Sequence, residues 1–267
     1  MTDAPIPRCP DVTAFHFSLD RIFGEEYEFA GEKHPFWELV YVLSGSLGVT
    51  AGEKVYILEA GQCLLHPPNE FHRLRSERGT EPHVLNLSFH SDLMPDYQGR
   101  VFLPDPELRE EFLELSMEIR NGLHNSDSAL LGEQRVRFEY WLLRALRSVG
   151  EGGATESSGA LRYEEIIHVM REHLGEPLSA GEIARLCNMS LSNLKKIFTR
   201  YAGMGVARYF TEMKMQRAAE LLRGGKRVGE VAAALGYADQ NYFSTVFRRI
   251  MGVPPGAYRE RLDRHGS

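Results

Sequence analysis

Seven polar side chains fall at two places where their types and spacing suit one kind of chemistry. In LSNLKKIFTRY (191–201) and QNYFSTVFRRI (240–250), apolar residues recur at helical intervals: Leu194, Ile197, Phe198 and Tyr201 in the first stretch, Phe243, Val246 and Phe247 in the second. On a helix, that packing stripe leaves Leu191, Ser192, Lys195, Lys196 and Thr199 on the open side of the first, and Gln240, Asn241, Ser244, Thr245 and Arg248 on the open side of the second. Lysine donates to O6 and N7 of guanine, Asn and Gln bond adenine through two contacts, and Ser or Thr suits a base edge or a phosphate. One such face is ordinary solvated helix surface. Two on a repeated unit argue for a role, with Ser192, Lys195, Lys196, Gln240, Asn241, Thr245 and Arg248 as the candidate DNA-contacting set.

The repeat is visible upstream as well. EIARLCNMSLSNLKKIF (182–198) and EVAAALGYADQNYFSTVF (230–247) both begin with Glu, a β-branched residue and Ala, then reach a turn and a second amphipathic helix. Ala184 and Ala232 lie four residues before Asn188 and Gly236, which tolerate positive φ, and the small side chain leaves room for the crossing helix. Ser190 and Asp239 are the expected N-caps, and from there the copies run at an offset of 49 residues. The pattern is that of a helix-turn-helix, present twice. Arg200, Arg208, Lys226, Arg227, Arg248 and Arg249 surround it and are suited to phosphates, which makes binding salt-dependent.

At 267 residues, 43% hydrophobic and 25% charged, the chain suits two globular domains and excludes collagen-like, low-complexity and wholly disordered classes. The net charge of −6 conceals an asymmetry: from Leu161 onward there are 17 Lys+Arg against 11 Asp+Glu, and before it 14 against 26. A polyanionic partner for the basic half follows from this. Ser148–Ala160, rich in Gly and Ser, reads as a linker. Before it, 104–123 (Leu108, Phe112, Leu115, Ile119) and 128–150 (Leu131, Val136, Tyr140, Leu143, Leu146) read as an antiparallel helical hairpin. Residues 12–90 show short strands every 8–12 residues (FWELVYVL, SLGVTA, KVYILEA, QCLLHP, HVLNLSF), the pattern of an all-β sandwich or barrel. Helices are expected over 161–174, 180–187, 190–201, 206–223, 227–235, 239–250 and 254–262. Cys9, Cys63 and Cys187 are too scattered for a disulfide framework or a CxxC knuckle and read as free thiols. No apolar run reaches the ~20 residues of a membrane span. The N-terminal MTDAPIPRCPDV lacks a signal-peptide pattern, so the expected location is cytoplasmic.

Residues 161–267 resemble the DNA-binding domain of the AraC/XylS family of bacterial transcription regulators. The resemblance rests on the two units, the connecting VARYFTEMKMQRAAELL (206–222) and the closing LGYADQNYFSTVFRRIMGVPPGAYR (235–259). The family commonly has Arg where Lys214 stands. The resemblance implies that one long helix ties both units, placing two recognition helices in successive major grooves on one face of double-stranded DNA. HPFWELVYVLSG (34–45) and GQCLLHPPNEFH (61–72) resemble the two motifs of the cupin barrel, which this family often carries as a sensor. In a metal cupin the first motif supplies two His and a Glu, and the second a His. At those positions stand Glu32, His34, Glu38 and His72, so the first His is missing. On a strand, Glu32, His34 and Glu38 share one face. A polar small-molecule pocket using His34, Glu38 and His72 is the favoured use. A divalent ion and a self-satisfied hydrogen-bond network are the alternatives, and no metal, cofactor or catalytic residue is assigned. Trp37 and Tyr41 have opposite parity and are expected to pack on the hairpin. His66, His83 and His90 are read as ordinary strand or loop histidines.

The expected architecture is α+β in two domains: a cupin-like double-stranded β-barrel at 1–103, a dimerising helical hairpin at 104–150, a linker at 151–160, and an all-α double helix-turn-helix domain at 161–267. The expected function is sequence-specific DNA binding modulated by a small molecule, for which the family suggests a sugar. The partners are then a second copy of the chain and, if the protein activates, RNA polymerase; no membrane is expected. Two rivals stand beside it: a metal-dependent cupin enzyme with a helical tail, weakened by Glu32, and a ligand-independent DNA-binding dimer.

Overall fold

The computed structural model describes residues 10–92, 101–147 and 158–258. The chain divides into two compact units, 1–160 and 161–267.

The first unit holds eight described strands: β1 (Val12–Ile22), β2 (Trp37–Ser44), β3 (Ser46–Ala51), β4 (Lys54–Glu59), β5 (Cys63–His66), β6 (His72–Ser76), β7 (His83–Ser91) and β8 (Val101–Phe102). They form two antiparallel sheets in the orders β1-β7-β2-β5-β8 and β4-β3-β6. Strand β2 shows why its sequence looks continuously apolar. Val40 and Val42 face the interior between the sheets with Leu47, Val49, Leu58 and Leu74, while Trp37, Leu39 and Tyr41 turn outward and are equally buried. What covers them is the hairpin of α1 (Pro106–Asn125) and α2 (Ser128–Arg147). Tyr41 lies 5.5 Å from the Phe112 ring, and Trp141 stacks on Phe112 at 4.5 Å while its indole N–H donates to the Leu108 carbonyl at 2.7 Å. Trp37 and Tyr41 therefore pack as their parity suggested.

Other sequence expectations need correction. The apolar stripe of α2 is Phe138, Trp141, Leu142 and Ala145; Val136 and Tyr140, expected on the packing face, are each 60% exposed. Leu131 and Leu146 of the expected stripe do pack against the core; the helix carries apolar residues on more than one side, and periodicity alone misplaced Val136 and Tyr140. The barrel covers one apolar face of the hairpin, while Met117, Val136 and Tyr140 stay exposed. Strands β1, β6 and β8 are not among the expected five. The barrel strand β2 begins only at Trp37, so Glu32 and His34 do not share a strand with Glu38; they arrive from the preceding segment.

The second unit holds most of α3 (Ser158–Glu172), then α4 (Ala180–Leu186), α5 (Leu191–Tyr201), α6 (Val206–Arg223), α7 (Val228–Ala234) and α8 (Gln240–Met251). Helix α3 starts inside the expected linker; residues 148–157 of that linker lie outside the described residues, as does Cys9. A final helical turn covers 255–258, and the rest of the expected last helix also lies outside them. Helix α4 opens with a capping box, the Ser179 and Glu182 side chains each accepting the other's backbone N–H. Helix α6 buries one face along its length. Val206, Tyr209 and Phe210 are buried in its first half, while Met215, Ala218, Ala219 and Leu222 join Val231, Phe243 and Phe247 in one core. Among the described residues, no helix is long and apolar enough to cross a membrane.

Candidate ligand pocket and nucleic-acid interface

Inside the barrel lies a cavity of about 390 Å³. One part of its lining is aromatic (Phe17, Phe23, Tyr27, Phe29, Phe36) and another polar (Glu32, Glu38, His72, Asn86, Ser88). Glu38 comes from the inner face of β2 and His72 from β6 of the opposite sheet. Glu32 is brought alongside by an isolated bridge to His72, closed by both backbone hydrogen bonds at 3.0 and 3.1 Å. That close approach needs Gly31, at φ +96°, where a Cβ would strike the Phe71 ring and the His72 carbonyl.

The structure brings all three predicted pocket residues together. His34 Nε2 is 3.2 Å from Glu38 Oε2, and His72 Nε2 is 3.4 Å from Glu38 Oε1 and 3.8 Å from Glu32 Oε1. Ser88 donates to Glu38 Oε2 at 3.3 Å. Burial pushes the Glu38 carboxyl up, but its contacts with His34 and His72 outweigh that and hold it well below the usual carboxylate range. Burial pushes His72 down, and the Glu38 carboxylate pulls it back to above its ordinary value. His66, which sequence reasoning set aside, belongs to this group. It is fully buried, stacks on His72 at 4.4 Å, and contacts Glu70 through Nδ1 at 2.9 Å. Burial lowers its pKa. The only signal for it is the register that sets His66 opposite Glu38 across β5 and β2. His83 instead pairs with Asp20 at 2.7 Å, and His90 lies edge-on to His16.

The helical unit presents its polar groups outward. Asn188 and Gly236 have φ of +51° and +75°, as their turns require. At Gly236 a Cβ would collide with the Gly175 carbonyl. Ser190 caps α5 by accepting the Asn193 N–H at 3.2 Å, and Asp239 caps α8 by accepting that of Asn241 at 2.7 Å. Beyond the caps, Leu194, Ile197 and Phe198 are buried, and Ser192, Lys195, Lys196 and Thr199 are exposed. In α8, Phe243, Val246 and Phe247 are buried, while Gln240, Asn241, Thr245 and Arg248 are exposed and Ser244 is half-buried. The Thr245 hydroxyl donates to the Asn241 carbonyl at 3.0 Å, which leaves its oxygen free to accept. Tyr242, 61% exposed in the first turn of α8, is a further outward group that the sequence reading passed over. Arg208 pairs with Glu212 at 3.0 Å, which weakens its claim as a phosphate contact.

Lys214 binds the two halves of the unit together. Its ammonium donates to the Glu176 carbonyl at 2.7 Å and the Leu235 carbonyl at 2.9 Å, and sits over the rings of Phe210 and Tyr237. Burial lowers its pKa.

Residues 16–137 match the family model described as an AraC-like ligand binding domain, and residues 183–261 match the model described as a helix-turn-helix domain. The chain is 33% identical to the HTH-type transcriptional activator RhaR of Pectobacterium atrosepticum, over 86% of this chain and 85% of that protein. It is 27% identical to the MmsAB operon regulatory protein of Pseudomonas aeruginosa, over 89% and 79%. Among solved structures, a DNA-binding transcriptional dual regulator from Escherichia coli K-12 is 30% identical over 42% of this chain and 99% of that chain, with a TM-score of 0.37.

Proposed function

Since the chain belongs to the AraC/XylS family of DNA-binding transcription regulators and carries its ligand-binding domain, we propose that it reads its operator with α5 and α8 under the control of a small molecule held in the barrel cavity. Its relatives are regulators, which leaves the enzyme reading without support. The observation that carries the proposal is the pairing of two capped helices, each buried on one side and polar on the other, with α6 packed between them. Ser192, Lys195 and Lys196 read bases from the first, and Gln240, Asn241 and Thr245 from the second; Arg248 serves a base or a phosphate. An effector switches such a protein only through unequal affinity for its DNA-competent and incompetent states. Glu38 and His72, on the polar side of the cavity, receive it, and His34, which does not line the cavity, holds Glu38 at 3.2 Å. A sugar is one candidate class, its hydroxyls donating to the carboxylates and its ring lying on the aromatic wall.

We also propose that the protein works in the cytoplasm as a homodimer through the hairpin, contacting RNA polymerase when it activates. The support is the exposed apolar surface on α1 and α2, which includes Met117, Val136 and Tyr140. Light scattering on the full chain tests this: a dimer that Val136→Glu with Tyr140→Glu converts to monomer is expected, and a wild-type monomer at micromolar concentration refutes it. The DNA reading is tested by selecting bound sequences from a random pool. A paired motif with two elements about one helical turn apart is expected; recovery of unrelated sequences refutes it.

A further inference from the structure

The register of the five-stranded sheet shows how the polar groups of the cavity are spaced. Cross-strand pairing sets Glu38 and Phe17 on either side of Ser88, Val40 and Leu19 on either side of Asn86, and Val42 and Arg21 on either side of Val84. Ser88, Asn86 and Val84 alternate along the inner face of β7, so each level lies about 7 Å from the next. Glu38, Ser88, Asn86 and Arg21 all line the cavity. It therefore runs from an acidic end, where Glu32 joins Glu38, past an amide to a guanidinium. Two of these groups lack a partner. Asn86 is 9% exposed, yet its Oδ1 accepts no hydrogen bond among the described residues. Arg21 forms no ion pair or hydrogen bond among them either; its guanidinium lies 5.9 Å from the centre of the Phe23 ring. The adjacent Asp20, on the other face of β1, is taken by His83 and Arg120.

From this arrangement we propose that the effector is a short carboxylic acid with a hydrogen-bond donor, a hydroxyl or an ammonium, at its far end, and that Arg21 selects it. A guanidinium presents paired N–H donors in the geometry that a carboxylate accepts, and one guanidinium balances one negative charge. A phosphate monoester, at about −1.5 to −2, would keep uncompensated charge in a cavity that also holds Glu32 and Glu38. Those two glutamates repel the carboxylate and attract the donor, so the ligand lies one way round. Asn86 Oδ1 accepts from a donor in the middle of the ligand, which relieves the cost of a buried acceptor left bare. Phe17, Phe23, Tyr27, Phe29 and Phe36 cover the carbon chain between the polar groups. At about 390 Å³ the cavity is at the small end of ligand pockets, as a short acid requires. A neutral sugar would occupy the acidic end and Asn86 and leave Arg21 unmatched. The inference rests on the ligand-pocket reading above and narrows it from hydroxyl donors in general to acids.

The test uses the full chain, screened by thermal shift and then titrated by calorimetry with matched probes. The pairs are lactate with propylene glycol, glycerate with glycerol and gluconate with sorbitol; β-alanine and γ-aminobutyrate supply the ammonium series, and neutral sugars complete the panel. At least one acid is expected to bind, tenfold or more tightly than its neutral counterpart. Arg21→Gln, at an exposed position and without risk to folding, is expected to weaken that acid at least tenfold. The Tm of the free protein and the affinity for neutral probes should not move. Arg21→Lys should recover part of the loss, since it returns the charge without the paired donors. Binding by the hydroxy acids or by the amino acids upholds the proposal, and the tighter series names the donor. Neutral probes that bind as well as the acids, or an acid whose affinity Arg21→Gln leaves unchanged, overturn it while keeping the pocket. Silence from acids, alcohols and sugars alike overturns the pocket reading and the proposal with it.

Discussion

In the barrel, Glu38 and His72 are held by one another and by backbone carbonyls inside a shell of buried strands. In the helical unit, Lys196 and Thr245 stand in solvent on helices whose opposite sides are packed. The polar cluster at the cavity needs its side chains placed individually, because each is brought by a different segment: His34 before β2, Glu38 on it, His72 on β6 and Glu32 through a single bridge. The recognition face needs only two helix axes and a cap at each start, after which helical geometry places every residue along it. One site is therefore fragile toward changes in its scaffold and the other toward changes in its own side chains.

That contrast can be broken experimentally. Trp141→Ala empties the largest buried side chain beneath the five-stranded sheet and is expected to cost about 3–5 kcal/mol. In urea denaturation followed by far-UV circular dichroism, the 1–160 unit should unfold earlier while the 161–267 unit keeps its midpoint. A joint shift of both would show that the units do not stand apart. Lys196→Ala and Thr245→Ala are each expected to weaken binding to the selected DNA by about 1–3 kcal/mol without moving the Tm, and to spare random DNA. Fluorescence anisotropy decides, and equal losses on both DNAs would reassign these residues to phosphates. Removing the cap with Asp239→Ala should cost about 1 kcal/mol in chemical denaturation, since two backbone N–H groups lose their acceptor. The smallest effect is expected at Cys63, buried at the centre of the first unit with its thiol pushed up by burial. At pH 8 it should not react with a thiol reagent until the protein is unfolded. Rapid labelling would mean that the barrel opens far more readily than its packing implies.

The same contrast explains what could be read from the sequence. Ser190, Asp239, Asn188 and Gly236 announce the helix-turn-helix units because caps and positive-φ turns are local requirements with few suitable residues. The open faces follow from a period of 3.6. In the barrel, the motifs carrying His34, Glu38 and His72 were visible, but His66 was not, because its neighbours are set by cross-strand register rather than by spacing along the chain. In α2, Val136 and Tyr140 compete with Phe138 and Trp141 as a packing stripe. Only the sheet beneath decides between them.

Lys214 has a consequence for how the helical unit comes apart. Its ammonium joins the segment entering α4 to the turn entering α8, two stretches about sixty residues apart that no covalent link holds together. Neither helix-turn-helix can melt without stranding that buried charge or breaking the hydrogen bonds of the other. Residues 161–267 should therefore unfold in one cooperative step, and Lys214→Met, which keeps the stem but removes the bonds, should split it into two.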